Sequence, residues 1–430
     1  MENDSLKSVF RHVRDVSFIL ASSSDEERRS ALDSIRAALV ENSEYIFEEN
    51  RKDVEASKGI LSDSVCHRLL FSEDKLESVV KGLNELSHLP DPIGRAREKR
   101  ELDPGFILEK RTFPIGVIGM IFESRPDALV QIAGLALRSG NAVILKGGKE
   151  AYRSNAALYN VIRKATSQFS FGSDWIYLLT SHSDVDELLK ADADVDLLIP
   201  RGSNSFVRYV MDNTRIPVMG HADGICSVYI DKDADADLAV KVAIDSKAQY
   251  PAACNAAETF LVHKDIARDF IPRFGRAAES AGIRIHATDD AGAFLSYYVP
   301  ASEDDFHREF LALECALRIV SSEEEAIRHI NEHGSHHTDA IITENDEAKR
   351  RFFSEVDSAD VFANCSTRFA DGFRFGLGAE VGISTSKLHA RGPVGLDGLM
   401  TTKWILSGEG ETVAEYSGRN GRAFHHKELI

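Results

Sequence analysis

The sequence predicts an α/β protein of two doubly wound domains, preceded by helices and edged by a small ribbon. From residue 115 onward, short apolar runs of buried-strand character alternate with amphipathic segments of helical length, a pattern that builds parallel sheets with right-handed crossovers. The alternation starts afresh at Cys226, which makes two series. At roughly 150 residues per domain, a chain of 430 residues has room for two or three cores.

Between residues 23 and 57, charged residues interleave with Ala31, Leu32, Ile35, Leu39, Ile46 and Phe47 at nearly helical spacing, so the first hundred residues read as surface helices. Pro90-Asp91-Pro92 breaks this texture. Residues 94–112 are strongly charged and alternate across 106–111, as a peripheral ribbon does. The first α/β series follows, with strands expected at 115–122, 142–146, 176–180, 195–200 and 216–219 and helices at 126–138, 149–166, 184–191 and 203–211. The second has strands at 226–231, 258–263, 283–287, 317–320, 339–343 and 360–363 and helices at 235–247, 265–281, 323–333 and 347–356. From 368 to 402 the chain carries Gly372, Gly376, Gly378, Gly382, Gly392, Gly395 and Gly398, a density that permits close backbone approach to a ligand or another domain.

Composition narrows the function. Hydrophobic residues at 43% and charged residues at 28% are those of a soluble globular protein. The 51 basic and 69 acidic side chains leave a formal charge of −18, which argues against nonspecific nucleic-acid binding and obliges any anion site to work against the global field. The longest apolar runs, such as 115–122, fall far short of the ~18–20 residues of a membrane span. The acidic N-terminus, with only a six-residue apolar stretch at 16–21, is a poor secretory signal. Cys66, Cys226, Cys254, Cys315 and Cys365 are scattered singly, which fits a reduced cytoplasmic protein and no disulfide framework.

No G-x-G-x-x-G follows a strand, and Gly147-Gly148-Lys149 is followed by Glu150, which rules out a Walker A loop. There is no G-x-S-x-G elbow. His329, His333, His336 and His337 cluster at a helix end, where cations complement the dipole, and no metal site is expected of them. Lys146-Gly147-Gly148-Lys149 and Arg201-Gly202-Ser203-Asn204 each stand where a strand turns into a helix; there they either meet an anionic ligand or serve as a solvated strand end and a helix cap. Cys254 lies among small residues between a helix and a strand, as either a nucleophile with room for substrate or a small buried side chain.

Taken together, Phe122-Glu123-Ser124-Arg125-Pro126, the run 138–150, Cys254-Asn255-Ala256, Asn364-Cys365-Ser366-Thr367-Arg368-Phe369, the run 375–385 and His389-Ala390-Arg391-Gly392-Pro393 resemble the gamma-glutamyl phosphate reductases, also called glutamate-5-semialdehyde dehydrogenases, of the aldehyde dehydrogenase superfamily. The resemblance runs in order from about residue 10 to 415. Asp127 departs from it, standing where asparagine is usual and adding negative charge.

The resemblance implies a Rossmann-like NADP-binding domain at 1–95 and 115–224 that lacks the glycine fingerprint, a catalytic domain at 225–400, and an oligomerisation ribbon and tail at 96–114 and 405–430 that make a homodimer or homotetramer. It implies NADPH-dependent reduction of L-glutamyl 5-phosphate to L-glutamate 5-semialdehyde and phosphate, the second step of proline biosynthesis, with glutamate 5-kinase as the candidate partner. Cys254 is the implied nucleophile, forming a thioester able to accept hydride. The implied oxyanion donors are its backbone N–H and Ser124, near the usual asparagine position. His221, in His221-Ala222-Asp223-Gly224, stands where hydrolytic relatives carry a glutamate base, and is implied in proton transfer. Lys146 would hold the adenosine ribose, Lys149 the 2′-phosphate, Gly202 and Ser203 the pyrophosphate turn, and Glu309 the nicotinamide ribose. Arg125 and Arg368, with Asn364, Ser366 and Thr367, would bind substrate, since guanidinium forks suit phosphate and carboxylate. The rival readings are a superfamily dehydrogenase for another acyl group and a noncatalytic binding protein on the same fold.

Overall fold

The computed structural model describes residues 2–61, 63–181, 183–220 and 223–430. The N-terminal segment is helical: α1 (Glu2–Ser22), α2 (Asp25–Glu41), α3 (Ser43–Ser57), α4 (Asp63–Leu69) and α5 (Glu73–His88). Ser24 and Ser72 start α2 and α5 by accepting the N–H groups of Glu27 and Lys75, and acidic residues fill both first turns, where they oppose the helix dipole. Leu76, Val79, Leu83 and Leu86 form the buried stripe of α5. The proline-bounded break is anchored to the core by charge: buried Arg28 donates to Asp91 at 2.7 Å, and buried Arg138 donates to the carbonyl of Leu89 at 2.7 Å.

A ribbon follows, β1 (Ala96–Asp103) and β2 (Phe106–Pro114), and then the first parallel series: β3 (Val117–Phe122), α6 (Pro126–Arg138), β4 (Ala142–Gly147), α7 (Tyr152–Thr166), β5 (Ile176–Leu179), α8 (Ser183–Leu189), β6 (Leu197–Arg201) and α9 (Asn204–Asp212). The sheet order is β5-β4-β3-β6, and every residue of β3 and β4 is buried, as expected of strands covered on both faces. The expected strand at 216–219 is reduced to a single bridge, Leu198 to Val218. Pro217 has no N–H to donate, so the ladder cannot extend through it.

The second series comprises β7 (Cys226–Ile230), α10 (Ala236–Ala248), β8 (Ala257–His263), α11 (Lys264–Ser280), β9 (Arg284–Ala287), α12 (Asp289–Gly292), β10 (Val299–Pro300), β11 (Glu314–Val320), α13 (Glu323–His333), β12 (Thr338–Ile342), α14 (Asp346–Glu355) and β13 (Asp360–Ala363). These strands form one parallel sheet in the order β10-β9-β11-β8-β7-β12-β13. Alternate side chains serve opposite faces. Val228, Ile230, Phe260 and Val262 join the core under α10 and α11, while Tyr229 and Leu261 join the core under α13 and α14.

The glycine-rich segment departs from the expected division. It contains the two-residue strands β14 (Ile383–Ser384) and β15 (Gly392–Pro393), and its Ala379, Val381, Ala390, Val394, Leu396 and Leu399 pack into the core of the first sheet. Beyond it, β16 (Met400–Ser407) pairs with β2 from Met400 opposite Pro114 to Ser407 opposite Ile107, and β17 (Lys427–Glu428) pairs with β1. The third ribbon strand thus begins five residues before the expected tail. Among the described residues no helix is long and apolar enough to cross a membrane.

Candidate active site

Cys254 occupies the connection between α10 and β8, on two successive turns closed by Ala253 N–H to Tyr250 O at 3.2 Å and Ala256 N–H to Ala253 O at 2.9 Å. The turn is clamped from outside. The Cys226 thiol donates to the Cys254 carbonyl at 3.3 Å, and the Asn255 amide donates to the carbonyl of Ala370 at 2.6 Å. Gly224 lies against it so closely that a Cβ there would stand 2.1 Å from the Cys254 carbonyl oxygen. Cys254 is half-buried, whereas Cys226 and Cys315 are fully enclosed. Burial pushes the Cys315 thiol up to about 12 and raises Cys226 and Cys365 as well, so these three are poor nucleophiles.

Two cavities meet at Cys254. One, of about 460 Å³, is lined by Glu123, Ser124, Arg125, Ser203, Asn204 and Glu309; the other, of about 190 Å³, is lined by Glu380, Gly382 and Val394; Arg201, Gly202 and Cys254 face both. They open at the carboxyl ends of β3 and β6, where doubly wound sheets bind ligands.

Arginine dominates the local charge. Burial and then the adjacent Arg125 pull Arg201 below the usual arginine value, while Glu380 and Cys254 act in the opposite direction. Burial also lowers Arg368, with Arg374 adding to this and Cys254 opposing it. A guanidinium stays protonated through such shifts at any working pH, so the thiol faces fixed positive charge. Arg368 is oriented by its Nε bond to Gln249 Oε1 at 2.9 Å and by the Tyr250 ring beneath it. Asp127, the departure noted above, is neutralised by Arg125 at 3.2 Å and Lys75 at 3.8 Å. Burial, reinforced by Glu150, raises Glu123, whose carboxylate accepts the Ser203 N–H at the start of α9; burial also raises Glu380.

The matched family model is the aldehyde dehydrogenase family, over residues 18–296. The chain is 50% identical over 425 residues to a gamma-glutamyl phosphate reductase of Pelotomaculum thermopropionicum, covering 99% of this chain and 98% of that one. A relative of the same name from Acetivibrio thermocellus is 48% identical over 426 residues, with coverage of 99% and 98%. The crystal structure of gamma-glutamyl phosphate reductase from Thermotoga maritima superposes with a TM-score of 0.92 at 36% identity, over 94% of this chain and 99% of that one. The chain belongs to the gamma-glutamyl phosphate reductase family. The fold is accordingly of the aldehyde dehydrogenase type, and that family uses nicotinamide cofactors.

For a gamma-glutamyl phosphate reductase, the candidate residues divide in an informative way. Cys254, Arg125, Gly202, Ser203 and Glu309 share one cavity wall. Glu309 Oε2 accepts from Asn204 Nδ2 at 2.7 Å, and the same amide donates to Asp223 at 2.8 Å. Ser203 precedes α9 without capping it through its side chain, and its hydroxyl lies 3.3 Å from that of Ser205. Lys146 is buried at the end of β4 with Nζ donating to the Gly147 carbonyl at 2.6 Å; burial lowers its pKa, partly offset by Asp184 and Glu150. Lys149 is exposed on the turn that follows.

Three expectations change. Ser124 holds a left-handed backbone, φ 47°, and both its N–H and its hydroxyl donate to Glu150 Oε1 at 2.7 Å, so it positions Glu150 instead of offering a free donor beside the thiol. Asn364 spends both sides of its amide on the backbone of Thr343, at 2.9 Å each, and so locks the ends of β12 and β13. Ser366 and Thr367 are buried and bond Ser246 and Arg368 N–H, bracing the turn that carries Arg368. His221 lies outside the described residues. Sequence reasoning noticed Arg201 only as part of a turn and missed Glu380 and Gly224. Arg201 carried a usable signal, because it ends a buried parallel strand. Glu380 and Gly224 carried none beyond the runs that contain them.

Proposed function

We propose that the chain reduces L-glutamyl 5-phosphate with NADPH to L-glutamate 5-semialdehyde and phosphate, as the second step of proline biosynthesis. The observation that carries this reading is the half-buried thiol of Cys254 at the junction of two cavities walled by arginine, in a chain whose net charge is strongly negative. Arg125, Arg201 and Arg368 supply forks for the phosphate and α-carboxylate, which a neutral aldehyde would not need. The Cys254 thiolate attacks the acyl carbon; the C–S bond forms, the bond between that carbon and the bridging phosphate oxygen breaks, and phosphate leaves with the electron pair. The Cys254 backbone N–H stabilises the tetrahedral oxyanion.

A dinucleotide would enter the larger cavity where α9 opens at Ser203, with buried Lys146 in β4 and exposed Lys149 on the turn after that strand as the cationic side chains for it. When bound, the nicotinamide supplies the hydride that turns the thioester into the aldehyde. Lys149 would favour NADPH by reaching a 2′-phosphate, Lys146 would hold the adenosine ribose, and Glu309, oriented by Asn204, would hold the nicotinamide ribose.

The sequence 221–224 has no glutamate base to activate water, so phosphate, not water, accepts the acyl group in the reverse direction. The reverse assay tests the reading: semialdehyde, phosphate and NADP+ or NAD+, followed by absorbance of the reduced cofactor. Turnover should require phosphate, with arsenate substituting. Steady oxidation in phosphate-free buffer, or turnover only with coenzyme A, would overturn it.

A further inference from the structure

The histidines grouped together in the sequence divide in the fold, with His336 and His337 turned away from His329 and His333. His337 is buried in contact with Cys226 and Thr338, and His336 Nδ1 lies 2.7 Å from the Asp357 carbonyl. His333, the last residue of α13, instead meets the turn 303–307. One ligand atom from each of Glu303, His307 and His333 lies within 4.8 Å of the other two. His333 Nε2 and Glu303 Oε1 are 3.3 Å apart, and the His307 and His333 rings stack at 4.4 Å between centroids.

His333 is set up to coordinate. Its Nδ1 lies 3.1 Å from the His329 carbonyl, which can only accept, so Nδ1 keeps its proton and Nε2, which faces the Glu303 carboxylate, is the nitrogen left to bind an ion. His329 stacks parallel on His333 at 4.2 Å, is 6% exposed, and has no partner for its Nε2 among the described residues.

We infer that Glu303, His307 and His333 form a binding site for a divalent transition-metal ion of the zinc type. Two imidazoles and one carboxylate are the donor set such ions take, with a fourth position left to water. Ligands at ~2.0 Å from a tetrahedral centre stand about 3.3 Å from one another, which matches the separation already present between His333 and Glu303. Glu303 and His307 are exposed, so the ion exchanges with solvent. Arg318 Nη1 lies 3.7 Å from the same Glu303 oxygen and is displaced as its partner when the ion binds. The turn ends two residues before Glu309, so an ion here fixes the segment that enters the larger cavity.

The test is a Co2+ titration of the Cys254→Ala protein, in which the accessible active-site thiol cannot compete, read by visible absorption and by metal content after dialysis. We expect one Co2+ per chain with a tetrahedral spectrum free of thiolate charge-transfer bands, displaced by Zn2+. His307→Ala and His333→Gln should each weaken binding at least tenfold, no less than the loss of a supporting residue costs. His336→Ala should bind as the parent does, and thermal melts establish that each variant is folded. Unchanged affinity in folded His307→Ala and His333→Gln, thiolate bands in the spectrum, or no saturable binding would overturn the inference.

Discussion

Replacing Gly224 with alanine is the sharpest perturbation the geometry offers. The added Cβ would lie 2.1 Å from the Cys254 carbonyl oxygen, 2.7 Å from its carbonyl carbon and 2.5 Å from Glu309 Oε1. Ordinary contact begins at 3.4 Å, so the Cys254 main chain must retreat by 3.4 − 2.1 = 1.3 Å unless Gly224 itself moves. Glu309 can swing aside, but the carbonyl cannot, because it is also held by the Cys226 thiol and its neighbour Asn255 is tied to Ala370. A displacement of ~1 Å at a reacting group costs roughly 100-fold in rate, and overpacking costs roughly 1–3 kcal/mol of stability. We therefore expect kcat/KM in the reverse assay to fall about 100-fold, while the protein remains folded and iodoacetamide still labels one reactive thiol per chain. A variant that turns over within threefold of the parent would show that the nucleophile does not depend on this clamp.

Cys254→Ala should lower turnover below about a hundredth of the parent value and leave cofactor binding intact, whereas alanine at Cys66, Cys226, Cys315 or Cys365 should affect stability only; steady-state kinetics and cofactor fluorescence distinguish the two. Lys149→Ala should weaken NADPH by about 10- to 150-fold, the worth of one charge-assisted bond, and NADH far less; equal weakening of both in titrations would place Lys149 elsewhere. Asp339 is fully buried, and burial raises it to about 7 despite bonds from Ser358 and the Ser227 N–H. The native state thus keeps a proton that the unfolded chain releases near pH 4, so this group's contribution falls as pH rises from about 4 to 7, by at most about 4 kcal/mol at 1.36 kcal/mol per unit. Asp339→Asn should flatten that decline in melts recorded between pH 4 and 8; parallel curves for the two proteins would refute the assignment.

The parallel strands were legible because strands covered on both faces read as unbroken apolar runs, and β3 and β4 are such strands. The expected strand at 216–219 had the same texture, but one imide nitrogen, at Pro217, limited it to a bridge. The two-residue β10 has too few side chains to leave a periodicity. In the candidate site, Cys254 and Arg125, which the structure brings to one cavity, stood out in the sequence because their chemistry is scarce and specific. Asn364 and Ser124 were misread because an amide or hydroxyl that braces a backbone looks the same in sequence as one that awaits a ligand. Gly224 was invisible for a related reason: its role lies in the volume it leaves to a residue thirty positions away.

The return of residues 379–399 to the first core has a consequence for how the chain is made. The last strand of the first sheet ends at Arg201, yet the layer beneath that sheet is completed by Leu399, 399 − 201 = 198 residues later. At 5–20 residues per second of synthesis, that is an interval on the order of 10–40 s. Throughout it, the second domain emerges beside a first domain whose apolar floor is open, and the two cannot mature strictly in sequence. The final glycine-rich pass closes the earlier domain and delivers Glu380 to the cavity at Cys254, so that cavity and the N-terminal core are finished by the same stretch of chain.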